Sequence, residues 1–292
     1  SRMTSHPLPT VGVALLSMGN RPKELAAALD ALGKQEGVEL DVVLVGNGWR
    51  PEGVPSWVRT HYSEENLGCP AGRNLAASLV DGEFLFFYDD DGLLPAPDTL
   101  ARMVRRCTPG VAVVQARGVD PTGVPSPRRW VPRLRKSAEL TGGDVAVFWE
   151  AMALFRRSAF DEVGGWFGEL FFGHEGTDMA MRLIDRGWRI VYAPDIEVNH
   201  PATSAARHPH HFWSTMRNRV WVAKRDLPWP ILPFYLALWT TVTALRARSG
   251  ERLRNVFKGF KDGWSTPLPV RREPIRWKTV WRMTKLGRPP LW

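Results

Sequence analysis

Residues 83–92 read EFLFFYDDDG: five large apolar side chains, Phe84 to Tyr88, run straight into Asp89, Asp90 and Asp91. The apolar run is short and bounded by Gly82 and Gly92, which predicts a buried strand rather than a helix. In open α/β sheets, ligands bind just beyond the carboxyl ends of strands. Three adjacent carboxylates there repel one another, and a hard divalent cation relieves that repulsion. Alternate residues of an extended chain point the same way, so Asp89 and Asp91 can aim at one ion. The plainer reading is a solvated acidic turn that caps the next helix.

Upstream, residues 11–16 (VGVALL) predict a first buried strand. Asn20 is a candidate N-cap, Pro22 suits a first helical turn, and Leu25, Leu29 and Leu32 continue at helical spacing to Gly33. Residues 40–45 predict a second strand, ending at Gly46-Asn47-Gly48. Strand, helix, strand implies a right-handed parallel unit whose loops share the rim with Asp89. A short third strand is expected at 58–62. Gly68 and Gly72 then allow close backbone approach, and a helix from Pro70 to Val80 carries Arg73. A helix start with an arginine suits a phosphate; an ordinary turn with Arg73 on the surface is the simpler account.

Downstream, a helix is expected from Pro97-Asp98 to Cys107 and a strand at 111–117. Residues 118–136 predict a long mobile loop rich in Pro, Gly and Arg, either folding over an anionic ligand or merely solvated. One strand interrupted by Glu150 is expected within 145–155, then a short helix over 156–162. Thr177 is a candidate N-cap for a helix stopped by Gly187, which would leave Asp178 as a first-turn acid. A strand at 190–193 and the segment Glu197-Val198-Asn199-His200 close this part of the chain.

The charge is uneven. Residues 1–202 carry 21 Lys/Arg against 26 Asp/Glu, and residues 203–292 carry 18 against 4, a net of +14. The expected division is a disordered segment with a tag remnant at 1–9, a catalytic domain at 10–202 and a basic, Trp-rich helical extension at 203–292. Residues 228–245 are uncharged, at the lower limit for a membrane span, but three prolines argue against a simple span. An apolar, Trp-rich stretch beside dense positive charge suits a helix lying on an anionic membrane surface. The alternative is a helix packed against the domain. His208, His210 and His211, with Pro209 among them, look like a loop more than a metal site. Cys69 and Cys107 make no disulfide framework, and the first residues show no secretory signal, so a cytoplasmic, reducing setting is expected. Nothing in residues 1–202 reads as a nucleic-acid motif.

Taken in order, these motifs resemble the inverting glycosyltransferases of family 2, in their rhamnosyltransferase-like branch. The opening strand with its Asn20-Arg21-Pro22 turn, Asn66-Leu67-Gly68 with Gly72-Arg73-Asn74, Asp89-Asp90-Asp91 as a DXD motif, Arg156-Arg157-Ser158-Ala159-Phe160 with Gly164-Gly165, Glu175 to Arg182 with Gly187-Trp188, and Asn199-His200 carry the likeness. It implies a GT-A fold: an α/β, Rossmann-like, mostly parallel mixed sheet flanked by helices. It also implies transfer of a sugar from a nucleotide-diphosphate donor to a hydroxyl of a glycan, glycolipid or other acceptor, at the inner face of the cell membrane. Asp89, Asp91 and His200 would hold Mn²⁺ or Mg²⁺. Ser17, Asn20, Arg21, Asn47, Asn66, Gly68, Arg73, Asp89 and Asp90 would bind the donor, and Trp149, Glu150 and His174 would lie on the acceptor side. Glu175 is the expected base, with Asp178 orienting the acceptor or taking that role. Two departures stand out: Gly176 occupies a position where an acid is common, and no acid follows the second strand, where Asn47 stands. The competing readings are a nucleotidyltransferase on a similar sheet and a non-catalytic nucleotide-sugar or nucleic-acid binding module.

Overall fold

The computed structural model describes residues 6–202 and 210–291. Among the described residues the chain forms one mixed sheet of eight strands, in the order β3-β2-β1-β4-β7-β5-β8-β6. Strands β1 (Thr10–Ser17), β2 (Glu39–Asn47), β3 (Arg59–Ser63) and β4 (Phe84–Asp89) run parallel. They are joined through α1 (Pro22–Gly33), which follows β1, and α2 (Cys69–Ser78), which precedes β4. Their carboxyl ends therefore share one rim, with Ser17, Asn47 and Asp89 at its edge. Strand β4 is apolar from Phe84 to Tyr88 because both its faces are covered there. Phe84, Phe86 and Tyr88 enter the core under α1 and α3 (Thr99–Arg106), while Leu85 and Phe87 enter the core on the other face.

The expected interrupted strand is two strands. β6 (Gly143–Val145) pairs at the far edge with β8 (Arg189–Asn199), while β7 (Leu154–Arg156) inserts antiparallel between β4 and β5 (Val111–Val119). The chain must cross the rim between them, and that crossing carries Trp149 and Glu150. Strand β8 likewise unites the two separate segments expected from sequence, through a register shift after Ala193 that matches Arg117 to Glu197. Its last residue, Asn199, delivers His200 to the rim.

Helix α4 (Arg157–Glu162) leads to α5 (Glu175–Asp185). The expected caps differ from those observed. Helix α1 is preceded by Arg21, not Asn20, and α5 starts at Glu175 behind a left-handed His174, two residues before Thr177. Neither start uses a side-chain cap. Residues 118–136 are not a free loop. Trp130 is buried and its carbonyl accepts from Gln115 Nε2 at 2.7 Å, while Arg133 donates to the carbonyls of Thr141, Gly142 and Asp144.

Beyond the undescribed residues 203–209, which include His208, come α6 (His210–Asp226), α7 (Leu232–Ala247), α8 (Gly250–Ser265) and α9 (Trp277–Lys285). His210 and His211 open α6, and His210 stacks on Trp213. Phe212, Met216, Val220 and Val222 of α6 are buried in the same core as α5 and one face of the sheet. Each such side chain contributes about 1.5–3 kcal/mol, so α6 is held against α5 and the sheet by its apolar face. Among the described residues, no helix is long and apolar enough to cross a membrane.

Candidate active site

The strand ends at Asp89, and the turn closed by the Gly92 N–H on the Asp89 carbonyl sends Asp90 to a different side from Asp89. Asp90 turns to β1: its Oδ2 accepts from Ser17 Oγ at 2.8 Å, and Arg21 lies 3.3 Å from its Oδ1. Asp89 and Asp91 turn the other way, to His200. Its Nε2 lies 3.0 Å from Asp89 Oδ2 and 3.2 Å from Asp91 Oδ1. Arg21 also pairs with Asp91. Ligand atoms of Asp89, Asp91 and His200 lie within 4.8 Å of one another, so the three could hold one metal ion. Burial opposes a charge on His200, but hydrogen bonds to Asp89 and Asp91 outweigh it and push the imidazole up to about 10. Burial likewise opposes charge on Asp89, yet His200 and Arg73 pull it down to about 2. The imidazolium thus plays the part of a cation between two carboxylates. His200 is fixed from behind by Trp130 and Trp149, stacked at 4.7 Å and each set edgewise to its ring.

Arg73 links this cluster to α5. Its two Nη atoms lie 3.4 Å from Asp89 Oδ1 and 3.5 Å from Glu175 Oε1, and its side chain is only 7% exposed. The surface position considered for Arg73 is therefore wrong: α2 points it inward, over Trp166. Glu175 is 1% exposed, and its Oε2 has no hydrogen-bond partner. Burial and the neighbouring charge of Glu150 push Glu175 up to about 7, Arg73 pulling the other way. Burial also raises Glu150.

The other expected residues fall in three groups. Asn20 is exposed at the rim. Asn47, Asn66 and Gly68 build the loop before α2. Asn47 accepts from the Leu67 N–H at 2.7 Å and donates to the Gly68 carbonyl, so its amide is spent on the chain itself. Asn66 accepts from the Gly68 N–H. Gly68 has φ +80°, and a Cβ there would lie 2.4 Å from the Phe171 carbonyl. That carbonyl accepts from the Cys69 N–H, so part of the α2 N-terminus is already satisfied. On the acceptor side, Trp149 is buried behind His200 and Glu150 is half-buried. His174 precedes Glu175, and burial, Arg219 and His211 hold it well below its usual range, so it is neutral.

Asp178 is a correction. It is fully buried and turned from the rim: its Oδ2 accepts two bonds from Arg182, at 3.0 and 2.6 Å, and Arg225 of α6 lies 3.6 Å from its Oδ1. Despite burial, those arginines hold its carboxyl below the usual range. It fastens α5 to α6 and touches none of the rim residues. The partners that decide this, Arg225 and Asp226, lie about 47 residues away in sequence, and no local pattern announces them.

A family model for glycosyl transferase family group 2 matches residues 85–253, more than half of the chain. The chain belongs to this family. Over 108 residues it is 36% identical to an N-acetylglucosaminyl-diphospho-decaprenol L-rhamnosyltransferase of Mycobacterium tuberculosis, covering 35% of this chain and 33% of that protein. The chain spans about a third of the length of the curated relatives it matches. Among solved structures, S. aureus TarS 1-349 in complex with UDP-GlcNAc superposes with a TM-score of 0.61 at 16% identity, over 88% of this chain and 80% of that one. The Pyrobaculum calidifontis mannosyltransferase PcManGT, in complex with GDP-Man and Mn²⁺, gives 0.55 at 19% identity, over 91% and 78%. The sheet of this family group 2 member is thus that of the GT-A fold, as the resemblance to family 2 implies. The matched span includes the acidic run, α5, His200 and α6.

Proposed function

We propose that the chain is a metal-dependent, inverting glycosyltransferase that moves a sugar from a nucleotide-diphosphate donor to an acceptor hydroxyl. The observation that carries this reading is the convergence of Asp89, Asp91 and His200 at the end of β4, with Arg73 joining them to a buried carboxyl on α5. Two carboxylates and an imidazole suit Mn²⁺ or Mg²⁺ with coordination positions to spare. A bound ion would neutralise the charge that develops on the departing diphosphate. Arg21 and Arg73 add positive charge on either side of that leaving group. Ser17, through Asp90, keeps the β1 loop and Arg21 in register with the acids. On the opposite side of the sugar, a carboxylate must take the proton of the attacking hydroxyl.

The acceptor we propose is lipid-linked, as the name of the mycobacterial relative describes for that protein. The C-terminal helices support a place at an anionic membrane face. Phe234 and Leu245 of α7 are 70% and 77% exposed, Trp277 and Trp281 of α9 are also exposed, and Arg246, Arg248, Arg252 and Arg254 lie close by in sequence. Aromatic and aliphatic groups among cations fit an interfacial surface.

The test is thermal stabilisation by nucleoside diphosphates and nucleotide sugars with and without Mn²⁺ or Mg²⁺, followed by measurement of nucleoside diphosphate release. Stabilisation that needs both metal and one nucleotide is expected. No stabilisation by any pair, with no nucleoside diphosphate released, overturns the reading. Flotation with anionic vesicles tests the surface: Leu245→Glu with Phe234→Glu should reduce it, and equal flotation overturns that part.

A further inference from the structure

Gly176 leaves a hole in the first turn of α5, and another residue fills it. A Cβ at position 176 would lie 2.8 Å from Glu150 Oε2, 3.2 Å from the Phe148 carbonyl and 3.5 Å from Glu150 Cβ. The Glu150 carboxylate therefore rests against the bare α5 backbone, where any side chain at 176 would expel it. It comes from the rim crossing between β6 and β7, which Met152 (φ 55°) and the buried Trp149 hold in place. Trp149 is fixed in turn by its N–H bond to Gln115 Oε1 at 2.8 Å and by stacking on Trp130.

Two carboxyl groups thus sit together beyond Arg73, and they differ in access. Glu175 is 1% exposed, with one oxygen on Arg73. Glu150 is half-buried; among the described residues it makes no ion pair such as those of Asp89, Asp90, Asp91 and Glu175, while Arg73 and Arg129 act on its charge from farther off. A base must meet the hydroxyl it deprotonates within hydrogen-bond reach, and of the two Glu150 is the less buried. We infer that Glu150, seated in the space left by Gly176, is the catalytic base for the incoming hydroxyl, and that Glu175 is a positioning residue that fixes Arg73. This rests on the proposed transfer reaction. As the acceptor oxygen bonds to the anomeric carbon, its proton passes to a Glu150 carboxylate oxygen. The anomeric carbon–oxygen bond breaks, its electron pair leaving with the diphosphate. Glu150 then returns the proton to solvent.

The experiment uses the full chain with the nucleotide sugar that stabilises it, and follows nucleoside diphosphate release to water or a hydroxyl acceptor and, separately, to azide. Azide attacks without losing a proton and so needs no base. Glu150→Ala should slow the hydroxyl reactions about 100- to 10,000-fold, while release driven by azide is retained and gives a glycosyl azide. Adding Gly176→Asp to Glu150→Ala places a carboxylate back in the same space and should recover at least tenfold of the hydroxyl rate. Gly176→Asp alone, which drives Glu150 out, should exceed Glu150→Ala by no more than the double variant does. Hydroxyl transfer by Glu150→Ala within threefold of wild type overturns the assignment. So does a parallel loss of the azide and hydroxyl rates with nucleotide stabilisation intact, which marks Glu150 as structural. A wild-type chain that releases no nucleoside diphosphate from any donor overturns the transferase reading itself, and with it the base.

Discussion

Asp91 and Asp178 are both carboxylates at most 5% exposed and both paired with arginine, yet one belongs to a site and the other to a joint. The difference is in the charge around them. At the rim, Asp89, Asp90, Asp91, Glu150 and Glu175 gather around Arg21, Arg73 and His200, so acids outnumber bases. Between α5 and α6, Asp178 and Asp226 face Arg182 and Arg225, two carboxyl groups with two arginines, and burial and Asp178 favour the protonated form of Asp226. Arg182 also donates to the carbonyls of Val163 and Gly165, closing the joint. A surplus of carboxylate at an open rim suits a cation, whereas in the interior the arginines equal the carboxyl groups in number.

The largest effect that can break this contrast is at Asp91. Asp91→Asn should lower transfer at least about 1,000-fold, on the scale of losing a key electrostatic stabiliser, while the melting temperature without metal changes little. Transfer at the wild-type rate would remove Asp91 from the site. Next is Asp178→Ala, which leaves Arg182 and Arg225 facing each other in the interior. Breaking a buried ion pair from one side costs about 3–5 kcal/mol, to be read by denaturant unfolding, and nucleotide affinity of the folded fraction should be unchanged. If stability held while activity vanished, the two aspartates would have to exchange roles.

A third test sharpens the rim. Glu175 is held up to about 7 in the folded chain, against an ordinary value of 4.5, so the folded state keeps a proton the unfolded state has lost. Its contribution is complete below about 4.5 and disappears as pH rises through 7. Stability should therefore fall over that window by on the order of 1–3 kcal/mol, and Glu175→Gln should flatten the fall. An identical pH dependence in the variant would refute this. The smallest effect is expected at Asp226. Burial and Asp178 push it well above the usual range, which favours its protonated form. Asp226→Asn should change unfolding free energy by less than about 1 kcal/mol; a loss near that of Asp178→Ala would show that Asp226 is ionised.

Much of the molecule is legible in local sequence. Apolar runs at β1, β2 and β4, interrupted by Asn-Arg-Pro and by three aspartates, announce parallel strands and a charged rim, because a strand covered on both faces must be apolar until it leaves the core. Alternation points to Asp89 and Asp91 as the pair that shares His200, although it is a turn at Asp90 and Asp91, and not an extended strand, that brings them there. The resemblance to family 2 brings in His200 and Glu175. Position along the chain says nothing, however, of what each acid meets. Asp178 looks like a first-turn acid until α6 supplies Arg225 and Asp226. Asn47 reads as a nucleotide contact, and only the fold shows that the Leu67-Gly68 loop also bonds both ends of its amide. The basic tail looks detached until Phe212, Met216 and Val220 enter the domain core. Gly176 looks like a missing carboxylate until the chain between β6 and β7 brings Glu150 against it. Sequence by itself determined the strands, the rim and the chemical types gathered there, since these depend on periodicity and composition. Only the tertiary structure decided which carboxylates are neutralised and which are left facing outward, since a charge is set by neighbours that folding brings from far along the chain.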